Sequence, residues 1–332
     1  MNRFIFTCGD TNGIGPEIVI KALNKISDYN ENNFIFICPK NIFLDTAKFV
    51  PLYFDFKIKN TLDEPEPGIV TVLNIKNTKP EWGKPTKASG KAAFKAIKTS
   101  SDLLLKEIAD AVITAPISKT AINLAGHNYP GHTEMYASWT KTKNFVMVFF
   151  SKEINAALIT IHEPLKNVPK LLSAKNISRK IEVVVNMLRR DMNIEKPEIA
   201  VLGLNPHAGE EGLIGTEEKR SIIPVIKESE YSEYLSGPFS PDAFFGRRLY
   251  ENFDLVLGMY HDQVLIPFKL LSFSSGVNYT AGLPIVRTSP DHGVAYDISG
   301  KNIADETSIL EAFYLAEKIV NNRKKNAPRR NL

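Results

Sequence analysis

The sequence predicts an α/β protein built on a mainly parallel sheet. Short apolar runs of strand length alternate along the chain with longer amphipathic stretches of helix length, which is typical of strands connected by crossover helices. The chain has 332 residues, of which 43% are hydrophobic, so it can bury a large core in one or two domains. No internal repeat or low-complexity segment interrupts the alternation.

The predicted elements follow from this pattern in chain order. Strands are expected at 4–8, 34–38, 111–114, 145–150, 156–161, 199–204 and 254–259. Helices are expected at 16–26, 91–107, 177–191, 217–228 and 308–321. The stretch 64–85 is rich in proline and is predicted to be an irregular connection. The tail 321–332 has many cations and little apolar content, so it is predicted to be solvated.

Composition excludes several classes of function. The formal net charge of +4 is small and dispersed, which argues against a nucleic-acid partner. No apolar run approaches the roughly 20 residues of a membrane helix, and the first residues lack a signal-peptide pattern. The two cysteines, Cys8 and Cys38, each follow an apolar run and are expected to be reduced and buried. We therefore expect a cytoplasmic protein without a membrane partner.

Three histidines follow predicted strands, and they suggest a metal centre. His162, His207 and His261 would each lie near the carboxyl end of a strand, where open α/β sheets build their sites. Three converging imidazoles would leave an open coordination position, as a catalytic zinc-like ion requires. The alternative is that each is an ordinary loop histidine, and the spacing alone does not decide between the two.

Carboxylates accompany these histidines. Asp262 adjoins His261, and Asp242 lies in a turn-rich loop without a surrounding charge run. Such groups could orient an imidazole or act as a general base. Glu163 and Glu211 are better explained as solvated loop charges.

Two further groups of residues suggest anion binding. His132 and Thr133 follow Gly131 where a helix could begin, so that backbone N–H groups would face a phosphate. A simple capped turn is the alternative. The second group is Lys269, Asn278 and Arg287, in which the arginine could grip a phosphate or carboxylate with two hydrogen bonds.

The first glycine-rich loop does not fit the dinucleotide fingerprint. Residues 9–17 run Gly-Asp-Thr-Asn-Gly-Ile-Gly-Pro-Glu and enter a helix, but the glycine spacing differs from Gly-x-Gly-x-x-Gly. A Rossmann-type cofactor site is therefore disfavoured.

Taken together, the motifs of this chain resemble the 4-hydroxythreonine-4-phosphate dehydrogenase (PdxA) family of pyridoxine 5'-phosphate biosynthesis. They run in family order from residue 9 to about residue 300. The matching strings are Gly-Ile-Gly-Pro-Glu-Ile at 13–18, Thr-Ala-Pro-Ile-Ser-Lys at 114–119, Tyr-Pro-Gly-His-Thr-Glu at 129–134, Leu-Asn-Pro-His-Ala-Gly-Glu at 204–210, Tyr-His-Asp-Gln at 260–263, and Gly-Leu-Pro-Ile-Val-Arg-Thr-Ser-Pro-Asp-His-Gly at 282–293. Three positions depart from the family pattern, namely Thr11, Glu163 and Val294.

The resemblance implies a role for each candidate group. His162, His207 and His261 would be ligands of a divalent metal, for which zinc is expected first and magnesium or cobalt are alternatives. His132, Thr133, Lys269, Asn278 and Arg287 would bind the substrate and its phosphate. Asp242 and Asp262 would support the metal, and with Lys269 they are the candidate proton acceptors. The family forms homodimers whose active sites take residues from both subunits.

The resemblance also implies the fold and the cofactor site. It predicts two α/β/α domains with a cleft between them, similar to the isopropylmalate and isocitrate dehydrogenases. Residues 1–127 with 275–332 would form the first domain and 128–274 the second. The stretch 291–301 is similar to the adenosine-binding loop of those relatives, so His292, Gly293 and Asp297 would bind NAD. Lys301 leaves NADP open as an alternative.

The implied reaction is the NAD-dependent oxidation and decarboxylation of 4-phosphooxy-L-threonine to 3-amino-2-oxopropyl phosphate. Two alternatives remain at this stage. A related phosphorylated sugar acid, 4-phosphoerythronate or 4-phosphothreonate, could be the substrate. A three-histidine metal centre could instead serve a hydrolase, although a hydrolase has no need of a cofactor loop.

Overall fold

The computed structural model of this protein describes residues 1–26, 31–62 and 66–326. This part of the chain contains strands β1 to β12. In chain order they are β1 (Asn2–Thr7), β2 (Asn32–Pro39), β3 (Phe56–Lys59), β4 (Val70–Ile75), β5 (Ala111–Thr114), β6 (Val146–Phe150), β7 (Ala156–Leu158), β8 (Ile199–Leu202), β9 (Leu235–Phe239), β10 (Leu255–Gly258), β11 (Val277–Ala281) and β12 (Val286–Pro290).

The α-helices of the same residues are α1 to α11. In chain order they are α1 (Gly15–Lys25), α2 (Lys40–Ala47), α3 (Lys87–Leu105), α4 (Lys119–Leu124), α5 (His132–Trp139), α6 (Val168–Leu171), α7 (Ala174–Arg190), α8 (Ile223–Glu228), α9 (Pro241–Gly246), α10 (His261–Ser272) and α11 (Thr307–Asn326). No helix among the residues described is both long enough and apolar enough to cross a lipid bilayer.

The chain divides into two compact units. Unit 1 comprises 1–142 and 283–320, and unit 2 comprises 143–282 and 321–332. The strands of unit 1 are all parallel and lie in the order β3-β4-β2-β1-β5-β12. A crossover connection returns each strand to the same edge, so the loops after β1, β4 and β5 collect there.

Unit 2 has a mixed sheet in the order β11-β6-β7-β10-β8-β9. β6 is antiparallel to both of its neighbours, whereas β7, β10, β8 and β9 are parallel to one another. The parallel neighbours β7 and β10 therefore end at the same edge, which brings the segments that follow them close together.

Each unit has its own apolar core. In unit 1, Phe4 on β1 packs edge-on against Phe313 of α11, with ring centroids 5.1 Å apart. In unit 2, Phe149 on β6 packs against Phe268 of α10 at 5.6 Å, and the surrounding core includes Phe244 and Leu158. These aromatic contacts fix helices against sheets, because each buried ring contributes on the order of 2 to 3 kcal/mol of burial free energy.

The predicted α/β class with a mainly parallel sheet is confirmed. Every predicted strand and helix overlaps one in the structure, but two interpretations were wrong. Within 64–85, predicted to be irregular, β4 is a buried parallel strand; residues 64 and 65 lie outside the described residues.

The domain boundaries predicted after 127 and 274 stay a prediction. The compact units of the structure change at 142 and 282.

The second error concerns the tail, predicted to be solvated from residue 321. Helix α11 continues to Asn326, and Nε of Arg323 donates to Oδ1 of the fully buried Asp191 at 2.8 Å. Burial alone would raise the pKa of Asp191, but Arg323 and Arg190 outweigh it and hold this pKa below its ordinary value. A buried carboxylate needs such partners, which is why this cation is not left in solvent. The predicted tail beyond residue 326 lies outside the described residues.

Candidate active site

Two of the three predicted metal ligands meet in unit 2. His162 follows β7, and His261 is the first residue of α10, directly beyond β10. Because β7 and β10 are parallel neighbours, the two imidazoles lie together with ring centroids 5.6 Å apart. They line a cavity of about 210 Å³. Its other lining residues are Ile161, Glu163, Leu165, Tyr260 and Asp262.

Asp262 orients the second of these imidazoles. Its Oδ1 lies 2.7 Å from Nδ1 of His261. When Nδ1 carries the proton and donates it to this carboxylate, Nε2 keeps its lone pair for a ligand. A carboxylate bound to the far nitrogen is the usual support of a metal-binding histidine. The predicted supporting role of Asp262 thus has a contact to act through.

His207, the third predicted ligand, lies in an unusual turn. From His207 to Glu211 every residue has positive φ, between 42° and 79°. Non-glycine residues adopt this region at a cost, and such backbone is concentrated at functional sites. Asp242, at the start of α9, is near enough for the charge of His207 to act on it. A hydrogen bond from Oγ of Ser240 to Oδ1 at 2.5 Å is the main cause that lowers the pKa of Asp242.

Within the described part of one chain, the three predicted ligands do not form a single centre. In the described ranges 1–26, 31–62 and 66–326, no group of three or more His, Cys, Asp or Glu side chains is placed to hold an ion. The pair His162 and His261 nevertheless fits such an ion in its chemistry, since both offer imidazole nitrogens at the edge of a cavity. Of the predicted metal-site residues, His162, His261 and Asp262 are the ones that line this cavity together.

Three of the residues predicted to bind an anion, Arg287, His132 and Thr133, belong to unit 1. Arg287 lies on β12 with only 2% of its surface exposed, and its Nε and Nη2 donate to Oγ1 of Thr114 at 3.1 and 2.7 Å. Burial lowers the pKa of this guanidinium to about 10, so it remains charged at neutral pH. The planar fork of an arginine suits the geometry of a phosphate.

His132 lies beside this arginine. It is the first residue of α5, and its Nε2 is buried without a hydrogen-bond partner among the described residues. Burial, and then the charge of Arg287, hold the pKa of His132 well below its ordinary value, so the ring is neutral. Thr133, next along the helix, is also buried. An unpartnered buried nitrogen at the positive end of a helix indicates a place for an anionic ligand.

The other two predicted substrate residues lie in unit 2. Lys269 is in the third turn of α10, with its Nζ 5.9 Å from the ring centroid of Phe273. Asn278 is on β11, and its Oδ1 is buried without a hydrogen-bond partner in the described part of the chain. A buried amide oxygen of this kind needs a donor that a ligand can supply.

The predicted cofactor residues lie in the loop 291–301 of unit 1. Nδ1 of His292 lies 3.0 Å from the carbonyl oxygen of Gly293, and its Nε2 is buried with no partner in the described residues. Asp297 is exposed within a short turn, Tyr296–Ile298, and its carboxylate hydrogen-bonds to no other described residue. These groups are available to a ligand.

The glycine-rich loop after β1 holds this cofactor loop in place. The Tyr296 hydroxyl donates to Oδ2 of the buried Asp10 at 3.0 Å, and Oγ of Ser299 donates to the carbonyl oxygen of Asn12 at 2.7 Å. Gly13 has to be glycine, since a Cβ there would lie 2.7 Å from the carbonyl oxygen of Val294. Neither Asp10 nor Tyr296 can be recognised from the sequence alone, because a pairing across 286 residues leaves no local pattern.

Comparison with known proteins agrees with this arrangement. The family model described as pyridoxal phosphate biosynthetic protein PdxA matches residues 30–316. This chain belongs to the PdxA family. A 4-hydroxythreonine-4-phosphate dehydrogenase of a Sulfurihydrogenibium species is 41% identical over 318 residues, which cover 95% of this chain and 98% of that protein. An Oceanobacillus iheyensis relative, provisionally named D-threonate 4-phosphate dehydrogenase, is 38% identical over 93% of this chain and 95% of its own length.

Solved structures similar to this chain also include members of the PdxA family. The crystal structure of 4-hydroxythreonine-4-phosphate dehydrogenase from Klebsiella pneumoniae matches with a TM-score of 0.83 and 34% identity, covering 96% of this chain and 100% of that one. A terephthalate 1,2-cis-dihydrodiol dehydrogenase from Burkholderia xenovorans, with a TM-score of 0.65 and 24% identity over 96% of this chain and 98% of that one, shares the fold. The PdxA family predicted from the motifs is confirmed, and with it an oxidoreductase of pyridoxal phosphate biosynthesis.

Proposed function

We propose that this chain is an NAD-dependent dehydrogenase that oxidises and decarboxylates 4-phosphooxy-L-threonine to 3-amino-2-oxopropyl phosphate. The buried guanidinium of Arg287 carries this proposal, because a charged arginine fork at a buried position suits the phosphate of a phosphorylated substrate. The names of the relatives, 4-hydroxythreonine-4-phosphate dehydrogenase, support the same substrate.

The phosphate would bind in unit 1. Arg287 would donate two charge-assisted hydrogen bonds to it, and the α5 amino terminus would add backbone donors. Nε2 of His132 and the Thr133 hydroxyl would complete the set. Lys269 and Asn278 would bind further polar groups of the substrate, since Oδ1 of Asn278 is a buried acceptor that lacks a donor.

The imidazoles of His162, His207 and His261 would hold a divalent cation, with zinc favoured over magnesium or cobalt by the nitrogen donors. When bound, such an ion supplies a Lewis acid that eases loss of a hydroxyl proton and favours negative charge beside a ketone. Only two of the three imidazoles lie together in this chain, so we propose that His207 comes from a second copy of it. The enzyme would then be a homodimer with shared sites.

The hydroxyl group of the substrate would lose its proton to a base, and the carbon that bears this hydroxyl would lose a hydride to NAD, so that a ketone forms. Asp242, Asp262 and Lys269 are the candidates to accept the hydroxyl proton. His292, Gly293 and Asp297 would bind NAD, and the exposed carboxylate of Asp297 would accept hydrogen bonds from ribose hydroxyls and disfavour the extra phosphate of NADP. Lys301, nearby in the same loop, leaves some use of NADP open.

We place this activity in the cytoplasm. Cys8 directly follows β1, Cys38 lies on the neighbouring strand β2, and both are free and buried, which suits a reducing compartment. Burial raises the pKa of the Cys38 thiol well above its ordinary value, so it is protonated and unreactive.

The second candidate is oxidation of a related phosphorylated sugar acid, such as 4-phosphoerythronate or 4-phosphothreonate. The Oceanobacillus iheyensis relative specifically favours it, since its name refers to D-threonate 4-phosphate. The same phosphate and metal residues would serve either substrate. The residues that contact the amino group of phosphooxythreonine would then distinguish it from the sugar acids.

A substrate panel tests the proposal. Purified protein with added divalent metal and NAD would be given 4-phosphooxy-L-threonine, 4-phosphothreonate, 4-phosphoerythronate and unphosphorylated 4-hydroxythreonine, with NADH and free phosphate both measured. We expect kcat/KM to be highest for the first compound and at least about tenfold lower without the phosphate, because a charge-assisted contact to buried Arg287 is lost.

Each contrary outcome has a distinct meaning. Highest kcat/KM for a sugar acid would favour the second candidate. Release of phosphate without NADH would identify a hydrolase. Equal turnover with and without the phosphate group would refute the role of Arg287.

A further inference from the structure

A second cavity, in unit 1, has no part in the proposed reaction. Its volume is about 450 Å³, and it lies where β4 ends, beside the first half of α3. The carboxyl ends of parallel strands are where such sheets bind ligands. The cavity is lined by Ile75, Lys76, Asn77, Thr78, Ala88, Lys91, Ala92 and Lys95.

This cavity belongs to a different face of α3 from the loops of the candidate active site. Ser89 of α3 donates to Asp10 at 3.1 Å, and Gly90 packs against the backbone of Ala121. Lys91 and Lys95 point to the other side of the helix, where the cavity lies. A ligand here would therefore not compete for the groups that hold the cofactor loop.

The interior of the cavity is apolar with one unsatisfied polar atom. Ile75 and Ala92 supply buried aliphatic surface. Oγ1 of Thr78 is buried and has no hydrogen-bond partner among the residues described. The backbone of Thr78 is fixed by Asn41, which accepts from its N–H at 3.3 Å and donates to its carbonyl oxygen at 2.6 Å. The hydroxyl is thus held in position and lacks a partner, which a ligand would supply.

The rim of the cavity carries three uncompensated cations. Lys76, Lys91 and Lys95 form no ion pair with any described residue, and the lining contains no carboxylate. Lys91 and Lys95 are four residues apart on α3, a like-charge spacing that costs a helix a few tenths of a kcal/mol. In the second half of the same helix, Lys98 is paired with Asp102.

The helix dipole of α3 further disfavours the positive charges of Lys91 and Lys95. The amino-terminal half of a helix bears positive partial charge, which acidic residues ordinarily offset. The first turn of α3 contains none, and it begins at Lys87. The helix dipole and the three ammonium groups together create a positive field over an apolar cavity. A bound anion would relieve this repulsion.

We propose that this cavity is a binding site for a small organic phosphate, separate from the active site. The doubly charged phosphate would lie among Lys76, Lys91 and Lys95, and an apolar body of the size of a single ring would lie against Ile75 and Ala92. The hydroxyl of Thr78 would bond to a polar atom of that body. This inference does not depend on the identity of the substrate.

Calorimetric titration of the full-length protein tests it with phenyl phosphate as the probe. We expect phenyl phosphate to bind more tightly than inorganic phosphate or phenol, since it joins the charge to the apolar body. The double variant Lys91→Ala/Lys95→Ala should weaken phenyl phosphate at least about tenfold. The matched control Lys106→Ala/Lys152→Ala removes the same charge from exposed positions outside the cavity and should leave the affinity unchanged.

Two further variants locate the site. Ala92→Leu fills the cavity while keeping every cation, so it should weaken phenyl phosphate but not inorganic phosphate. Arg287→Ala removes the proposed substrate-phosphate site, and phenyl phosphate should still bind to it. The inference is overturned if phenyl phosphate does not bind, if both double variants weaken it equally, if Ala92→Leu has no effect, or if Arg287→Ala abolishes the binding. That last result would assign the anion to the active site and leave the proposed function standing.

Discussion

His132 shows at the scale of one residue how burial sets the chemistry of the candidate site. Its ring is held neutral by desolvation and by the neighbouring Arg287. A neutral imidazole can accept a hydrogen bond from a protonated phosphate or donate one to a dianion, without adding a second charge beside the arginine. The sequence indicated this histidine as a phosphate ligand but gave no sign of its protonation state.

The depressed pKa of His132 predicts a pH dependence of stability. Below about pH 6.5 the histidine of the unfolded chain takes up a proton, while the folded protein keeps it neutral. The unfolded state then binds more protons, so stability falls as pH falls. The free energy of unfolding of the wild type, relative to His132→Asn, should drop by up to about 1.4 kcal/mol per pH unit in this window.

Urea denaturation of both proteins from about pH 8 to about pH 5 measures this difference. The comparison cancels the contribution of carboxylates that the two proteins share. A difference that does not change with pH would mean that His132 titrates in the folded protein as it does in the unfolded chain.

At the scale of elements, hydropathy predicted most of the apolar strands but missed β12, whose buried residues are largely polar. The strand β12 is buried throughout, yet it includes Arg287, Thr288 and Ser289. Arg287 donates to Oγ1 of Thr114, and the Thr288 hydroxyl donates to the carbonyl oxygen of Ala312. Both partners are distant in the chain, so no local pattern indicates them. The same holds for Arg323, whose partner Asp191 lies 132 residues away.

The cofactor loop gives a prediction at this scale. Tyr296→Phe removes the hydroxyl that donates to Asp10, while Ser89 and the Asn12 backbone still donate to that carboxylate. Loss of one such bond costs about 0.5 to 1.5 kcal/mol. If the loop binds NAD, this loss should raise the KM for NAD several-fold and leave the KM for the phosphorylated substrate unchanged.

Steady-state kinetics, with NAD and the phosphorylated substrate varied in turn, measures the two KM values separately. Tyr53→Phe is the matched control, because Tyr53 is 77% exposed and far from this loop in the chain. Equal rises in both KM values would mean that the tyrosine supports the whole unit and not the cofactor loop.

At the scale of the whole molecule, helix α10 presents an apolar face that the described residues leave exposed. Ile266, Leu270 and Phe273 follow at spacings of four and three residues, so they share one side of the helix, and Leu270 is 83% exposed. Large exposed apolar groups in a row mark an interaction surface. A second copy of the chain is the proposed partner, since two of the three imidazoles proposed to bind the metal lie together in one chain and the third does not join them among the described residues.

This arrangement predicts which inactive variants rescue one another. His162→Ala and His207→Ala should each abolish turnover alone. In a mixed dimer of the two, one site would combine the intact His162 of one subunit with the intact His207 of the other, and activity should return. Co-expression with two different affinity tags, purification over both, and assay of the mixed dimer measures the rescue.

The pair His162→Ala and His261→Ala is the matched control. Both imidazoles come from the same chain, 5.6 Å apart, so every site in that mixed dimer lacks one of them and activity should stay absent. Leu270→Asp should prevent dimer formation, because it puts a charge in the apolar face, and it should abolish the rescue together with the dimer in sedimentation. Rescue by both pairs, or by neither, would contradict the proposal that the partner subunit supplies His207.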